Sequence, residues 1–99
     1  MNVKLISHAL IRNKNQYLLI KRSRIKRGKK NVYPLYWDIP GGSVEDRELP
    51  REGAVRETIE EVGLHITIKS IIHEDSNLDE QKNTIFTRLV YEGEQKGMG

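Results

Sequence analysis

Residues 42–64 read GSVEDRELPREGAVRETIEEVGL, and the end of this stretch places three carboxylates within one helical turn. At about 100° per residue, Glu57, Glu60 and Glu61 fall inside an arc of roughly 100° on one helix face. Like charges at this spacing repel, so an isolated helix gains nothing from them. A divalent cation removes the penalty, and hard oxygen donors suit Mg2+ or Mn2+, which commonly sit between carboxylates and substrate phosphates. The same three residues also fit a solvated acidic face, so spacing alone leaves both readings open.

The helix around them has legible ends. Pro50 suits a first-turn position, where its missing N–H costs nothing. Gly63 stands where a left-handed C-terminal cap falls. Ala54, Val55, Thr58, Ile59 and Val62 form an apolar stripe, expected to be buried opposite the carboxylates. Gly53 in the helix interior costs about 1 kcal/mol relative to alanine, which close packing against a strand would explain.

The flanks of the carboxylate cluster separate the two readings. The stretch fits G-x5-E-x7-R-E-U-x-E-E-x-G-U, with U usually bulky and apolar. Gly42, Glu48, Arg56, Glu57, Glu60, Glu61 and Gly63 fill the fixed positions, Leu64 the last apolar one, and Thr58 the first. With each residue type making up very roughly a twentieth of ordinary sequence, seven matches in register have a chance on the order of 10⁻⁹. In this pattern the chain resembles the Nudix (MutT-like) hydrolases.

That resemblance implies an α/β fold, a Nudix-like α/β/α sandwich with a mixed β-sheet. It also implies Mg2+-dependent cleavage of a nucleoside diphosphate linked to another moiety, with metal-activated water as nucleophile and Mn2+ as a substitute ion. By position, the metal ligands would be Glu57, Glu60, Glu61 and the backbone carbonyl of Gly42. One helix glutamate could serve as general base, and the resemblance does not say which. Arg56 would orient carboxylates through bidentate hydrogen bonds, and Glu48 would tie the preceding loop to the helix. Gly41 and Gly42, read as a tight turn, would let backbone approach phosphate, with Arg22 as a further substrate contact. The alternative is a Nudix-like nucleotide- or RNA-binding or regulatory domain without catalysis; it usually accompanies loss of signature carboxylates, and none is lost here.

Outside the signature, residues 3–11 and 17–21 read as a β-hairpin around a polar loop at 12–16. Residues 22–36 read as an exposed basic loop and 37–39 as a brief strand. Residues 64–73 read as a strand that bends or bulges near Ser70, 74–83 as a polar loop, and 84–92 as a last strand. Trp37, Tyr33 and Tyr36 offer stacking faces for a base, although aromatic residues beside a strand more often build core. His8, His65 and His73 have no mutual metal-ligand spacing and read as incidental.

Ninety-nine residues, 36% of them hydrophobic, make one small domain over 1–99. The chain has no cysteine, hence neither disulfides nor thiolate metal sites. No stretch approaches the length of a signal h-region or a membrane span, so a cytoplasmic protein without membrane contact is expected. Net charge is +3, distributed unevenly. Residues 1–37 hold ten Lys or Arg and no acid, while residues 38–61 hold eight acids against three Arg. That division suits a polyanionic substrate, and the six cations between Arg22 and Lys30 also suit RNA. Family members continue with further strands and a helix, whereas residues 93–99 read as a polar tail. The sequence therefore leads us to expect a C-terminally truncated domain, either a fragment or one completed by homodimerisation over a bare sheet face.

Overall fold

The computed structural model describes residues 1–21, 25–26, 29–30 and 37–96. Its centre is β1 (Asn2–Asn13), in which Ser7, His8 and Ala9 are buried in succession. Consecutive burial along a strand requires cover on both faces, and β1 is correspondingly the most heavily paired strand. The chain turns through Lys14 and Asn15, Lys14 at φ 58°, into β2 (Gln16–Leu18). The expected loop at 12–16 is thus a two-residue turn: Arg12 pairs with Tyr17 and Asn13 with Gln16. The ladder needs only backbone groups, so polar side chains at an exposed hairpin end do not stop it.

Short strands follow: β3 (Ile20–Lys21), β4 (Ile25–Lys26), β5 (Lys29–Lys30), β6 (Trp37–Asp38) and β7 (Gly41–Ser43). β3 pairs with β6, and β4 with β5, both antiparallel. Most of the expected basic loop, with Arg22, Tyr33 and Tyr36, lies outside the described residues. Gly41 and Gly42 do not form the expected turn. They belong to β7, which runs antiparallel to β1 with His8 opposite Gly41 and Ser7 opposite Gly42.

The helix α1 (Pro50–Val62) begins at Pro50 and ends on Gly63, which adopts φ 71° and donates its N–H to the Ile59 carbonyl at 2.9 Å. At its start the Glu52 carboxylate accepts the Leu49 N–H at 2.8 Å, satisfying a donor the first turn leaves free. The buried stripe differs from expectation. Gly53, Ala54, Glu57 and Thr58 are buried, whereas Ile59 is 38% exposed. Glu57 has displaced an apolar residue from the inner face because polar partners await it there. Thr58 is fully buried and donates its hydroxyl to the Ala54 carbonyl at 2.7 Å.

β8 (Ile66–Asp79) and β9 (Thr84–Gln95) complete the sheet as a long antiparallel pair. The register slips twice in β8, between Ile68 and Ser70 and between Ile71 and His73, placing bulges where a bend was expected. Both strands outrun their expected ends. Residues 74–79, read as loop, pair with β9, and Gly93 to Gln95, read as tail, pair with Ile68 to Ile66. Gly93 fits because Ile66 lies over it: a Cβ there would sit 3.0 Å from Ile66 Cδ1.

The main sheet runs β2-β1-β9-β8, with β7 also paired to β1, and β1 and β9 are parallel. One helix thus covers one face of a mixed sheet among the described residues. Ala9, Ile11, Ala54, Ile66 and Tyr91 form the core between them, with Leu18, Val55, Ile68 and Leu89 packed around it. On the opposite face His8 stands beside Val90 and Ile6 beside Arg88, so polar and apolar residues alternate there. Ile71 and Ile72 are 50% and 45% exposed. No helix of the described residues is long and apolar enough to cross a membrane.

Candidate active site

Arg56 sits at the middle of the acidic cluster and is the residue around which the site is built. Its Nε and Nη2 donate to the two oxygens of Glu48 at 2.8 and 3.1 Å, a fork-to-fork pair. Nη2 also donates to the Ser43 carbonyl at 3.0 Å. Nη1 faces Glu57 at 3.2 Å, Glu60 at 3.3 Å and Glu45 at 3.2 Å. The guanidinium therefore joins α1 to the end of β7 and to the connection between them.

The hydrogen bonds from Arg56 hold the Glu48 carboxyl below its ordinary 4.5, helped by the Glu45 N–H that Glu48 accepts at 2.9 Å. The same bonds to Glu48 and Glu60 raise the Arg56 pKa further. Arg56 is charged under all ordinary conditions. Among the described residues, four carboxylates surround this one guanidinium.

Glu57 is the buried member, its side chain 1% exposed. It faces Gly42 so closely that a Cβ there would lie 2.6 Å from its Oε1. Gly42 is thus required by the protein's own carboxylate. Gly41 is required similarly, since a Cβ on it would collide with the His8 ring and the Ser7 carbonyl. At Gly53 a Cβ would meet Glu48 Oε1 at 2.9 Å and Ser7 Oγ at 3.0 Å. The close packing expected there is against a carboxylate as well as a strand. Glu60 is half-exposed and Glu61 partly buried.

The structure thus brings together Gly42, Glu48, Arg56, Glu57 and Glu60. Among the described residues no three His, Cys, Asp or Glu side chains are gathered in metal-binding geometry; Glu57 and Glu60 instead converge on Nη1 of Arg56. The donors nevertheless fit a hard divalent cation. They are all carboxylate or carbonyl oxygens, the donors such ions prefer. Arg22 lies outside the described residues.

Glu45, Ser43, Ser7 and His8 escaped the sequence reading. Ser43 and Glu45 lie in the unspecified gap of the signature, where the first contributes only a backbone carbonyl. His8 bonds a carbonyl 31 residues away, a relation that ligand spacing cannot reveal. The consecutive burial of a central strand was the signal available for Ser7 and His8.

The NUDIX domain family matches residues 3–97. Over 32 residues the chain is 44% identical to an 8-oxo-dGTP diphosphatase of Proteus vulgaris, a stretch covering 32% of this chain and 29% of that protein. It is similar in structure to the MutT protein from Methanosarcina mazei Go1, with 29% identity and a TM-score of 0.71 over 93% of this chain and 63% of that one. A NUDIX hydrolase from Nitrosomonas europaea shares the fold at 20% identity and a TM-score of 0.76, over 99% of this chain and 62% of that one. The chain spans less than two thirds of the length of these relatives.

Proposed function

Because the chain belongs to the NUDIX domain family, we propose that it supplies the catalytic centre of a divalent-cation-dependent pyrophosphohydrolase acting on a nucleoside diphosphate linked to another moiety. The observation that supports this most is the gathering of oxygen donors in one place: Glu57, 1% exposed, lies against Gly42 and is joined through Arg56 to Glu45, Glu48 and Glu60. A buried carboxylate is costly unless a cation sits beside it, and a hard divalent ion suits this all-oxygen setting.

Glu57, Glu60, Glu61 and the Gly42 carbonyl would hold the ion, Mg2+ or in its place Mn2+. When bound, the cation supplies charge to the phosphate oxygens and activates water. The chain's own part is positioning. Arg56 holds Glu57 and Glu60 on one side of the helix, and Glu48 fixes Arg56 with both of its oxygens. Ser43 anchors the same guanidinium to the strand that carries Gly42. A helix glutamate within reach of the attacking water could take its proton.

For substrate class, the stretch shared with the 8-oxo-dGTP diphosphatase makes an oxidised purine nucleoside triphosphate the first candidate. The test is phosphate or pyrophosphate release from a panel holding 8-oxo-dGTP, ordinary nucleoside triphosphates, nucleotide sugars and capped or triphosphorylated RNA, with and without Mg2+. Cation-dependent release from at least one member is expected. Nucleotide or RNA binding with no hydrolysis would assign it to non-catalytic recognition.

A further inference from the structure

We propose that His8 is a positioning residue for the site: its imidazole fixes the backbone of residues 39–42 and, through Gly42, the place of Glu57. This rests on the pyrophosphohydrolase reading for its kinetic consequence and on the fold alone for its structural one.

His8 lies on the face of β1 turned away from α1, yet it is 7% exposed. Residues 39–41 cover it. Nδ1 stands 3.3 Å from the Ile39 carbonyl. A carbonyl oxygen only accepts, so Nδ1 carries the proton and the ring is held in that tautomer. Burial pushes the His8 pKa below 6.5 and Arg88 adds to this, while the hydrogen bond to Ile39 and the charge of Asp38 oppose it.

The contacts around the ring form a continuous path to the carboxylates. The Ala9 N–H donates to the Pro40 carbonyl at 3.0 Å. Gly41 pairs opposite His8, and a Cβ on Gly41 would fall 2.6 Å from the His8 Cγ. The next residue, Gly42, presents its Cα to the Glu57 carboxylate, and the next, Ser43, gives its carbonyl to Arg56 at 3.0 Å. Residues 39–43 are thus clamped between His8 on one face of the sheet and Glu57 with Arg56 on the other. Loss of the His8 side chain frees only the first of these holds. The remaining fold keeps its core of Ala9, Ile11, Ala54, Ile66 and Tyr91, which His8 does not join.

Three variants separate positioning from packing. His8→Asn keeps a donor near the Nδ1 position, His8→Gln moves the donor to the Nε2 position, and His8→Phe keeps ring volume without a donor. Measured on each are kcat and KM with the best panel substrate, Mn2+ affinity by electron paramagnetic resonance, and metal-free amide exchange at Gly41, Gly42 and Ser43. We expect His8→Phe and His8→Gln to lower kcat about 10- to 100-fold with KM changed less than threefold, to weaken Mn2+ binding, and to speed exchange at the three amides. His8→Asn should remain within about threefold of wild type in each readout. Equal behaviour of the Asn and Phe variants, or unaltered kcat and exchange in Phe and Gln, would overturn the proposal. Failure of all three to fold would assign His8 to packing and overturn it likewise. If the wild-type chain hydrolyses no substrate, the pyrophosphohydrolase reading fails, while exchange and Mn2+ affinity still decide the role of His8.

Discussion

Replacing Gly42 by alanine puts one methyl group into the contact that joins β7 to the buried carboxylate. The new Cβ would stand 2.6 Å from Glu57 Oε1, 2.8 Å from its Cδ and 3.0 Å from Oε2. Ordinary contact begins near 3.4 Å, so the carboxylate or the strand must move by about 0.8 Å. Glu57 has little room to do so, being 1% exposed and hydrogen-bonded to Arg56 at 3.2 Å. Overpacking of this kind costs about 1–3 kcal/mol. For a domain of this size each kcal/mol lowers Tm by about 4–8 °C. Absent the clash, Gly→Ala at a tolerant site would stabilise by about 0.4–1 kcal/mol through the unfolded chain. The assay is a double-mutant cycle in urea with Gly42→Ala, Glu57→Ala and the pair. A coupling of about 1–3 kcal/mol is expected, because truncating Glu57 removes the atoms that the methyl strikes. Gly63→Ala is the control. It forces alanine into φ 71° where nothing lies within 4 Å of the new Cβ, costing about 1–2 kcal/mol with no coupling to Glu57. A Gly42→Ala penalty of equal size with and without the Glu57 carboxylate would refute the reasoning.

Three further outcomes follow from the same contacts. Glu48→Gln breaks the fork to Arg56 and should cost about 1–3 kcal/mol at pH 7, measured by urea denaturation. Because Arg56 holds the Glu48 pKa below 4.5, the folded state binds fewer protons there than the unfolded one, so its contribution is present above pH 4.5 and is lost as pH falls through the folded value; the Tm difference between wild type and Glu48→Gln should shrink on acidification. Ser7 is fully buried and its hydroxyl has no partner among the described residues, so Ser7→Ala should leave Tm unchanged or raise it. Gly53→Ala should lower Tm despite a gain in helix propensity of about 1 kcal/mol, because the Glu48 oxygen 2.9 Å from the new methyl is held by Arg56 and by the Glu45 N–H.

The helix was legible to the residue because its ends are set locally, by Pro50 and by the left-handed conformation that Gly63 adopts. Its inner face was less legible. An apolar stripe through Ile59 follows from periodicity, yet Glu57 takes the buried position because Arg56 and the space above Gly42 receive it. The strand ends failed for another reason. Residues 74–79 and 93–95 are, Leu78 apart, polar or small, and their pairing comes from the backbone of a partner strand. Gly41 and Gly42 read as a turn because glycine pairs usually mark one. Here their missing side chains make room for His8 and Glu57, which lie 33 and 15 positions away. The acidic cluster was visible as spacing, but its organisation around one arginine was visible only through the signature. Contacts made through backbone carbonyls, at Ser43 and Ile39, leave no trace in residue identity.

Whether the acidic residues of α1 bind a divalent cation is tested most directly by a Mn2+ titration of the metal-free chain beside its Glu57→Gln variant, followed by electron paramagnetic resonance. Glutamine preserves the shape of the side chain and its contact with Gly42 while removing the charge. The acidic helix as a cation site predicts saturable binding to the wild-type chain and at least tenfold weaker binding to the variant. Indistinguishable Mn2+ affinities in the two proteins would contradict it.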